Sequence, residues 1–529
     1  MNIVIRKFKF FILKGGFLLQ SDLFKQVQIY ELNTRIFCLE NQCRIDEIPS
    51  WFLESQEVLA ADWVWLMGVW KPSPRSVEIC KSHEGLQREF KKALPDFSES
   101  DIIGSPYSIY EYLPNPILAK DMAQIRKFKR SLERIGKKLI LDFVPNHMSV
   151  DTPLLDTHPD LFLIKESNEE CHNSFLHKNG RRYYHGRDPY FDGWTDTVQW
   201  DFSHPDVLKM HYQILMSIAD VCHGVRCDMA MLPLGDIFEK THGKKGREYW
   251  RSLINEIRLK FPGFVFIGEV YWNREYDLQV QGFDFTYDKE LYDRLKHKKS
   301  REISLHLQAD SNYQLKSLRF LENHDEDRAY ATFGEDSISY NSLLNFLPGG
   351  VLYHEGQSLG LETRLPVQIK RRKTETVKPD LYSYFQRAFH QLMIRKKYTV
   401  NISEMNFHCY EIQDYNPLIL RHLYYLTDKK VGKAKMKIYN MELFIFNPEN
   451  QPISGWVKLP DQTSDFVRDL FPSSVEFLDI NTGKIFRKEK TEIIEKGIYV
   501  HLQPRQSHWF VSDSDLLKDS EDIFPTPEL

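Results

Sequence analysis

The sequence lacks any apolar run of about eighteen residues, the length that an α-helix needs to cross a membrane, so we expect no membrane span. Its seven cysteines are odd in number and scattered, without any C-x-x-C spacing. This excludes a cysteine-based metal site and indicates free thiols in a reducing compartment, so we expect a cytoplasmic protein. The 70 basic and 74 acidic side chains nearly cancel, to a formal net charge of -4. Charge therefore gives no reason to expect a nucleic acid or a membrane surface as partner.

What the sequence does have is length and aromatic content. With 529 residues, of which 42% are hydrophobic and 13% aromatic, two or three domains are expected. Residues 1–24 mix aromatic residues with lysines, but Lys14 interrupts the apolar stretch and no small-residue cleavage site follows. We therefore expect an N-terminal extension instead of a signal peptide. Residues 513–529 are acidic and predict a disordered tail.

Eight short segments rich in apolar, β-branched or aromatic residues are separated mostly by segments of helical spacing. They are residues 27–37, 63–70, 138–144, the run that ends at 224–228, 264–270, 282–287, 318–323 and 350–353. Eight alternating βα units predict an α/β fold, a closed (β/α)₈ TIM barrel. We assign residues 25–147 and 204–396 to this barrel.

Two further regions interrupt or follow the barrel pattern. Residues 148–203, after the third strand, lack clean periodicity and are crowded with His, Tyr, Trp and Asp. A stretch this long without regular structure is usually functional, so we predict an inserted domain there. Residues 397–512 show period-two segments and predict a separate C-terminal antiparallel β domain.

The chain is organised around the run Gly224-Val225-Arg226-Cys227-Asp228. On a strand, residues two positions apart point to the same side, so Arg226 lies beside Asp228. A neighbouring cation favours the charged form of a carboxyl group, and we expect Asp228 to be held ionised. Taken alone, this pair is also what a structural ion pair at a strand end looks like.

More polar residues fall at the C-terminal ends of predicted strands. His147 follows the third strand, Glu269 ends the fifth, and His324 and Asp325 follow the seventh. In this architecture such positions share one mouth, where active sites lie. Because carboxylates that converge repel one another, a function is needed to explain them. The sequence therefore predicts catalysis at this mouth.

The number of carboxylates indicates the chemistry. Cleavage of a glycosidic bond requires one carboxylate and one carboxylic acid on either side of the bond. Asp228 suits the nucleophile, and Glu269, in an apolar strand, suits the acid because such surroundings raise its pKa. Asp325 is then available to stabilise the charged transition state.

The remaining candidates are substrate-binding residues or supports. His147 and His324 can donate hydrogen bonds to sugar hydroxyls, and the ring of Tyr107 can stack on an apolar sugar face. We interpret Asp142 as a partner that orients Arg226.

Four ordered motifs resemble those of the α-amylase family, glycoside hydrolase family 13. They are Asp142-Phe143-Val144-Pro145-Asn146-His147, Gly224-Val225-Arg226-Cys227-Asp228, Gly268-Glu269-Val270 and Phe320-Leu321-Glu322-Asn323-His324-Asp325. The resemblance covers roughly residues 25–510 and implies a barrel with an inserted domain B and a C-terminal β domain. It implies that Asp228, Glu269 and Asp325 are nucleophile, acid/base and transition-state stabiliser. It also implies that Tyr107, His147, Arg226 and His324 bind at the cleaved sugar.

One departure from the family pattern concerns calcium. The family's Lys-His pair, which binds an acceptor sugar and helps to hold calcium, is replaced here by Met231 and Leu232. Asn146, often a calcium ligand, is present. We therefore assign no metal ligand and expect no required cofactor, and a calcium ion is left open as an alternative.

The expected function is that of a retaining hydrolase of α-glucosidic bonds, which acts on an α-glucan or α-glucoside through a covalent glycosyl-enzyme. Retention predicts a separation of about 5–5.5 Å between the carboxyl groups of Asp228 and Glu269. An α-glucanotransferase with the same intermediate is the alternative enzyme. A third hypothesis is a non-catalytic barrel that binds sugar or protein.

Overall fold

The structure, a computed structural model, describes residues 26–167, 169–399, 407–409, 419–431, 434–459, 468 and 471–512. The predicted extension, residues 1–24, and the predicted tail, residues 513–529, lie outside the described residues. In the part of the chain described, no helix is both long and apolar enough to cross a bilayer.

Eight parallel strands close into a barrel. In chain order they are β1 (Gln26–Asn33), β2 (Trp63–Met67), β3 (Lys138–Phe143), β4 (Gly224–Cys227), β5 (Val265–Gly268), β6 (Phe285–Tyr287), β7 (Ser317–Arg319) and β8 (Gly349–His354). Each strand pairs with its neighbours in the chain, and β8 pairs with β1 to close the barrel. The predicted TIM barrel is confirmed.

Helices pack outside the strands and bury apolar residues against them. They span Thr34–Glu40, Ser50–Glu54 and Gln56–Ala60 after β1; Pro74–Ser82, Glu84–Ala93 and Met122–Arg134 after β2; Pro205–Ala219 after β3; Gly235–His242 and Trp250–Lys260 after β4; Glu275–Gln281 after β5; Lys289–Lys296, Ser300–Leu307 and Ser311–Leu315 after β6; Ala329–Phe333 and Asp336–Leu344 after β7; and Pro379–Thr399 after β8. Short 3₁₀ turns lie at Ile45–Glu47, Glu99–Asp101 and Pro159–Leu161.

The first two strands are shorter than predicted. The prediction of strand over residues 27–37 is wrong beyond Asn33, because the Asn33 side chain accepts a hydrogen bond from the Ile36 N–H and starts a helix there. β2 ends at Met67, since Gly68 takes a left-handed conformation with φ of 75°. The chain then turns into a separate hairpin.

The residues between the barrel strands form three small hairpins. Trp70–Pro72 pairs with Ile109–Pro114, His147–Ser149 with Thr197–Gln199, and Ser174–Leu176 with Arg182–Tyr184; a short helix spans Leu154–Thr157. The insertion thus leaves and rejoins the barrel beside the end of β3. This pairing fixes the backbone of His147 at the mouth.

The C-terminal region is antiparallel. Its six-stranded sheet runs in the order Phe407–Cys409, Ile419–Val431, Ala434–Phe446, Ser507–Val511, Ser474–Asp479 and Ile485–Glu489. Ile453–Val457 pairs with Ile498–Leu502 in a smaller sheet, and Lys490–Glu495 is helical. The strand Ile485–Glu489 was not predicted, because it is an edge strand with only two apolar residues and a mostly exposed surface.

Candidate active site

The site is built around the buried guanidinium group of Arg226, near the end of β4. Its Nη1 lies 2.6 Å from Asp228 Oδ1, and its Nη2 lies 2.8 Å from Glu269 Oε2. Asp228 follows β4 and Glu269 follows the neighbouring strand β5. One cation therefore brings together the two carboxyl groups that the sequence predicted for nucleophile and acid.

Aromatic rings hold Arg226 in place. The guanidinium carbon lies 5.3 Å from the ring centres of Trp65 and Tyr107 and 5.7 Å from that of Tyr287. Nε also donates a hydrogen bond to the Tyr287 hydroxyl, at 3.3 Å. Burial disfavours the charge, but the carboxylates, Glu269 most strongly, raise the pKa of Arg226 well above its usual value. Arg226 is thus a permanent buried cation. Neither Trp65 nor Tyr287 was predicted from the sequence as part of this site.

Glu269 lies in the surroundings that the sequence predicted for an acid. It is 3% exposed, and burial raises its pKa to about 7, with further increases from Asp228 and Asp325 and an opposing effect of Arg226. The Tyr271 hydroxyl donates to Oε1 at 2.8 Å. At neutral pH this carboxyl group therefore holds a proton for part of the time.

A strained backbone helps to position Glu269. The N–H of Met229, the residue after Asp228, donates to Glu269 Oε2 at 2.7 Å. Met229 has φ of 42°, a left-handed conformation that is costly for a residue with a long side chain. The left-handed turn at Met229 thus directs its N–H from the end of the nucleophile's strand to the carboxyl group of the candidate acid.

The pKa of Asp228 is shifted in the opposite direction from the one expected. Burial raises the pKa of Asp228 above its usual value, while the charge and hydrogen bond of Arg226 lower it. The expected shift, downward under the charge of Arg226, is therefore wrong in direction, because Asp228 lies deep in the mouth and is only 7% exposed.

Asp325 is the open member of the three. Its side chain is 47% exposed, and its Oδ2 lies 3.0 Å from Nε2 of His324. Desolvation in the site opposes ionisation, but the charge of His324 outweighs it and holds the pKa of Asp325 below its usual range. Asp325 is thus an ionised carboxylate facing the cleft.

His324 and Tyr107 form one unit. The Tyr107 hydroxyl lies 2.8 Å from His324 Nε2, and the two rings stack at 5.3 Å. His324 Nδ1 lies 2.5 Å from Oε1 of Glu31, a residue of β1 that sequence analysis missed. One face of Tyr107 is therefore occupied by His324, which leaves less of the ring for a sugar than the prediction assumed.

His147 lies on the side of the inserted domain. It is 4% exposed, and its ring lies 5.3 Å from that of Trp194. Burial lowers its pKa to about 4, so His147 is a neutral imidazole at neutral pH. It can both donate and accept a hydrogen bond.

Asp142 supports the site differently from the prediction. Its carboxylate accepts hydrogen bonds from Trp65 Nε1 at 3.0 Å and from the Gly68 N–H at 2.7 Å, and it makes none with Arg226. Asp142 therefore positions the Trp65 ring, against which the Arg226 guanidinium lies, and interacts with Arg226 itself through its charge.

The residues around Asn146 do not fit a calcium ion. Asn146 Oδ1 accepts a hydrogen bond from Gln199 Nε2 at 3.1 Å, and its carbonyl oxygen accepts from the same amide group. Met231 and Leu232 are buried apolar side chains. Among the residues that the structure describes, no group of three His, Cys, Asp or Glu side chains could hold a metal ion.

The rim of the mouth joins the inserted domain to the loop after β5. The ring of Trp272 contacts that of Tyr190 edge to face at 4.9 Å, and Tyr190 is 56% exposed. Tyr271 contacts Glu269 directly, and Trp272 lies at the rim.

No protein-family model and no curated protein sequence matches the chain. Solved structures do match. A noncanonic maltogenic α-amylase from Thermotoga neapolitana has a TM-score of 0.60 at 18% identity, over 93% of this chain and 99% of that chain. An α-amylase from Lactobacillus plantarum has a TM-score of 0.61 at 16% identity, over 93% of this chain and 100% of that chain. A debranching enzyme from Nostoc punctiforme has a TM-score of 0.57 at 14% identity, over 93% of this chain and 98% of that chain.

These matches extend over nearly the whole of each protein, from the barrel to the C-terminal sheets. The chain therefore has the α-amylase fold, as its four motifs implied.

Proposed function

We propose that this protein is a retaining glycosidase that cleaves α-glucosidic bonds by double displacement. The observation that carries the proposal is that the carboxyl groups of Asp228 and Glu269 share one buried guanidinium group while Asp325 stands ionised beside them. These are the groups that glycoside cleavage requires: a nucleophile, an acid and a stabilising charge.

In the first step Glu269 protonates the leaving oxygen while Asp228 Oδ attacks the anomeric carbon. The bond to the leaving group breaks, and a glycosyl ester of Asp228 forms. In the second step Glu269, now ionised, removes a proton from water, which displaces Asp228. The pKa of Glu269, about 7, suits both roles, since a group that titrates near the working pH can give and take a proton.

The other side chains hold the sugar and its charge. Asp325 faces the cleft with a full negative charge, which stabilises the positive charge that develops on the sugar ring. His147, a neutral imidazole, is available to bond a sugar hydroxyl, whereas the ring nitrogens of His324 already face Glu31, Asp325 and Tyr107. Tyr107 connects His324 to Arg226, because its ring lies against both.

The substrate class rests on the fold and on this site. The similar proteins are named as α-amylases and a debranching enzyme, and we propose an α-glucan or α-glucoside for this chain as well. Water is the proposed acceptor, with transfer to a sugar hydroxyl as the alternative. Six cysteines are free thiols, which supports the proposed cytoplasmic location: Cys38, Cys43, Cys80, Cys171, Cys222 and Cys227.

The test is turnover of maltose, isomaltose, sucrose, trehalose and soluble starch by the wild-type chain and by Asp228→Asn. We expect at least one α-glucoside to be cleaved, and the variant to lose about 10⁴-fold or more in kcat. Asp327→Asn is the matched control, because it makes the same change of side chain two residues after Asp325, at a position where the side chain is 60% exposed. Turnover that survives in Asp228→Asn, or no turnover in the wild type, refutes the proposal.

The stereochemistry of the first product tests the retaining mechanism separately. Proton NMR of the reaction should show the α-anomer before mutarotation. Release of the β-anomer first would mean inversion, for which the two carboxyl groups would have to stand further apart, at about 6.5–9.5 Å. Repeating the reaction with added glucose or maltose distinguishes hydrolysis from transfer.

A further inference from the structure

We propose that Glu31 is a positioning residue of this site, which holds His324 with a proton on each ring nitrogen and thereby fixes Asp325 and Tyr107. The kinetic consequence of this inference rests on the proposed function. The structural part does not, because it concerns only how four side chains are bonded.

Glu31 has an unusual place for a carboxylate. It lies on β1, opposite Trp65 of β2 and His354 of β8, and it is 0% exposed. A buried carboxylate is costly unless it is paired. The partner is His324, whose Nδ1 lies 2.5 Å from Glu31 Oε1 although the two residues are 293 positions apart in the chain.

The other nitrogen of the same ring faces a second carboxylate. His324 Nε2 lies 3.0 Å from Asp325 Oδ2 and 2.8 Å from the Tyr107 hydroxyl. An ionised carboxylate only accepts hydrogen bonds, so a ring between two carboxylates must donate from both nitrogens. The His324 side chain is 2% exposed, and both carboxylates raise the pKa of His324 well above its usual value although burial opposes this. His324 is thus an imidazolium between two negative charges.

Other titratable groups surround the pair. They are Asp142 of β3, Arg226 of β4 across Trp65 and Tyr107, and His354 of β8. None of these forms a hydrogen bond with either ring nitrogen of His324. The carboxylate on Nδ1 is therefore that of Glu31, and its charge balances the proton that the ring carries.

Loss of this charge would change the other side of the ring. A neutral His324 has a single proton, which either stays on Nδ1 and leaves a bare Nε2 lone pair facing the Asp325 carboxylate, or lies on Nε2 without the positive charge of the imidazolium. In both forms Asp325 loses its cation. Glu31 thus acts on the candidate stabiliser without itself reaching the cleft.

The first experiment does not depend on activity. The ¹⁵N shifts of His324, assigned by their loss in His324→Asn, report which ring nitrogens carry protons. At about pH 7.5, one unit above the ordinary histidine pKa of about 6.5, we expect both nitrogens protonated in the wild type and only one in Glu31→Gln. Glu322→Gln removes another buried carboxylate, one that lies against Arg328, and should leave His324 doubly protonated.

Two results would overturn the proposal: a neutral His324 in the wild type, or a doubly protonated His324 in folded Glu31→Gln. If Glu31→Gln does not fold, the titration of His324 in the wild type is the test: a ring that is neutral at about pH 7.5 refutes the proposal, and a doubly protonated ring supports it.

The second experiment measures kcat/KM against pH with α-glucosyl fluoride. Fluoride leaves without protonation, so the ionisation of Glu269 does not limit this substrate, and a fall at high pH reports another group. We expect Glu31→Gln to lower kcat/KM about 10- to 100-fold, as when the carboxylate behind a metal-bound histidine is removed. The alkaline fall should move to lower pH than in the wild type. An unchanged pH profile in Glu31→Gln contradicts the proposal, whereas no turnover by the wild type contradicts the proposed function and leaves the NMR result to decide on Glu31.

Discussion

At the scale of single residues, burial of Glu269 controls when the site can donate a proton. Glu269 is 3% exposed, and burial raises its pKa to about 7 against the lowering effect of Arg226. The same burial raises the pKa of Asp228, which must be ionised to attack. We therefore expect activity at pH values between the pKa of Asp228 and the pKa of Glu269.

We expect kcat/KM for an unactivated α-glucoside such as maltose to follow a bell-shaped pH profile. It should fall about tenfold per pH unit above pH 7, because Glu269 loses the proton that the leaving group needs. The acid limb should lie at higher pH than that of an unperturbed aspartate, since burial raises the pKa of Asp228. Initial rates at low substrate concentration across the pH range give both limbs. A profile that stays flat well above pH 8 would contradict the role of Glu269.

At this scale, the sequence located the residues of the site but not all of their bonds. Arg226 and Asp228 could be paired from their spacing, because two residues apart on a strand means the same side. Glu31 could have been noticed as a carboxylate within an otherwise mostly apolar strand. The neighbouring sequence, however, does not indicate that its partner is His324. A contact across 293 positions depends on the closure of the barrel.

At the scale of elements, the close approach of β3, β4 and β5 sets the distances in the site. Gly224 begins β4, and a Cβ atom there would lie 2.6 Å from the Val265 carbonyl oxygen and 3.0 Å from Ile140 Cδ1. Real Cβ atoms do not approach backbone so closely, so glycine is required for these strands to pair. Arg226, two residues further along β4, is placed by the same packing.

We expect Gly224→Ala to lower the free energy of unfolding by about 1–3 kcal/mol, because the strands must move apart to admit the methyl group. Activity should fall as well, since the shift displaces Arg226 and Asp228. Urea denaturation and kcat/KM provide the two measurements. The control is Gly455→Ala, in the strand Ile453–Val457, where a Cβ atom meets nothing within 4 Å. Equal effects of the two substitutions would show that packing around β4 is looser than described.

The element boundaries that were mispredicted have local causes. Apolar and aromatic residues continue past Asn33 and past Met67, so composition alone extends both strands. What ends them is a capping side chain at Asn33 and the left-handed Gly68, whose N–H bonds the distant Asp142. The turn at Gly68 depends on the position of β3, which cannot be inferred from the sequence around Gly68.

At the scale of the whole molecule, a buried ion pair joins the barrel to the C-terminal domain. Arg395, in the last barrel helix, contacts both oxygens of Glu442, which also accepts hydrogen bonds from Gln391 and Trp509. Arg395 Nη1 donates to the Asn345 carbonyl at 2.7 Å. Glu442 is 0% exposed, and a buried charge is costly unless such partners compensate it.

We expect Glu442→Ala to lower the free energy of unfolding by about 3–5 kcal/mol, because it leaves the Arg395 charge buried without its carboxylate. Activity per folded molecule should change little, since this pair lies away from the mouth of the barrel. Thermal and urea unfolding, followed with kcat on the folded fraction, separate the two effects. Glu476→Ala is the surface control, an exposed glutamate of the same sheet. A loss in Glu442→Ala no larger than in this control would refute the structural importance of the pair.

The sequence by itself determined the barrel, the antiparallel C-terminal region and the residues gathered at the mouth. It could do so because strand periodicity and the position of polar residues after each strand are local properties of the chain. Only the tertiary structure decided which of these groups are buried, and burial reverses the expected pKa shift of Asp228 and gives Glu269 its value near 7. It alone placed Glu31 against His324, because desolvation and contacts between distant strands exist only once the barrel has closed.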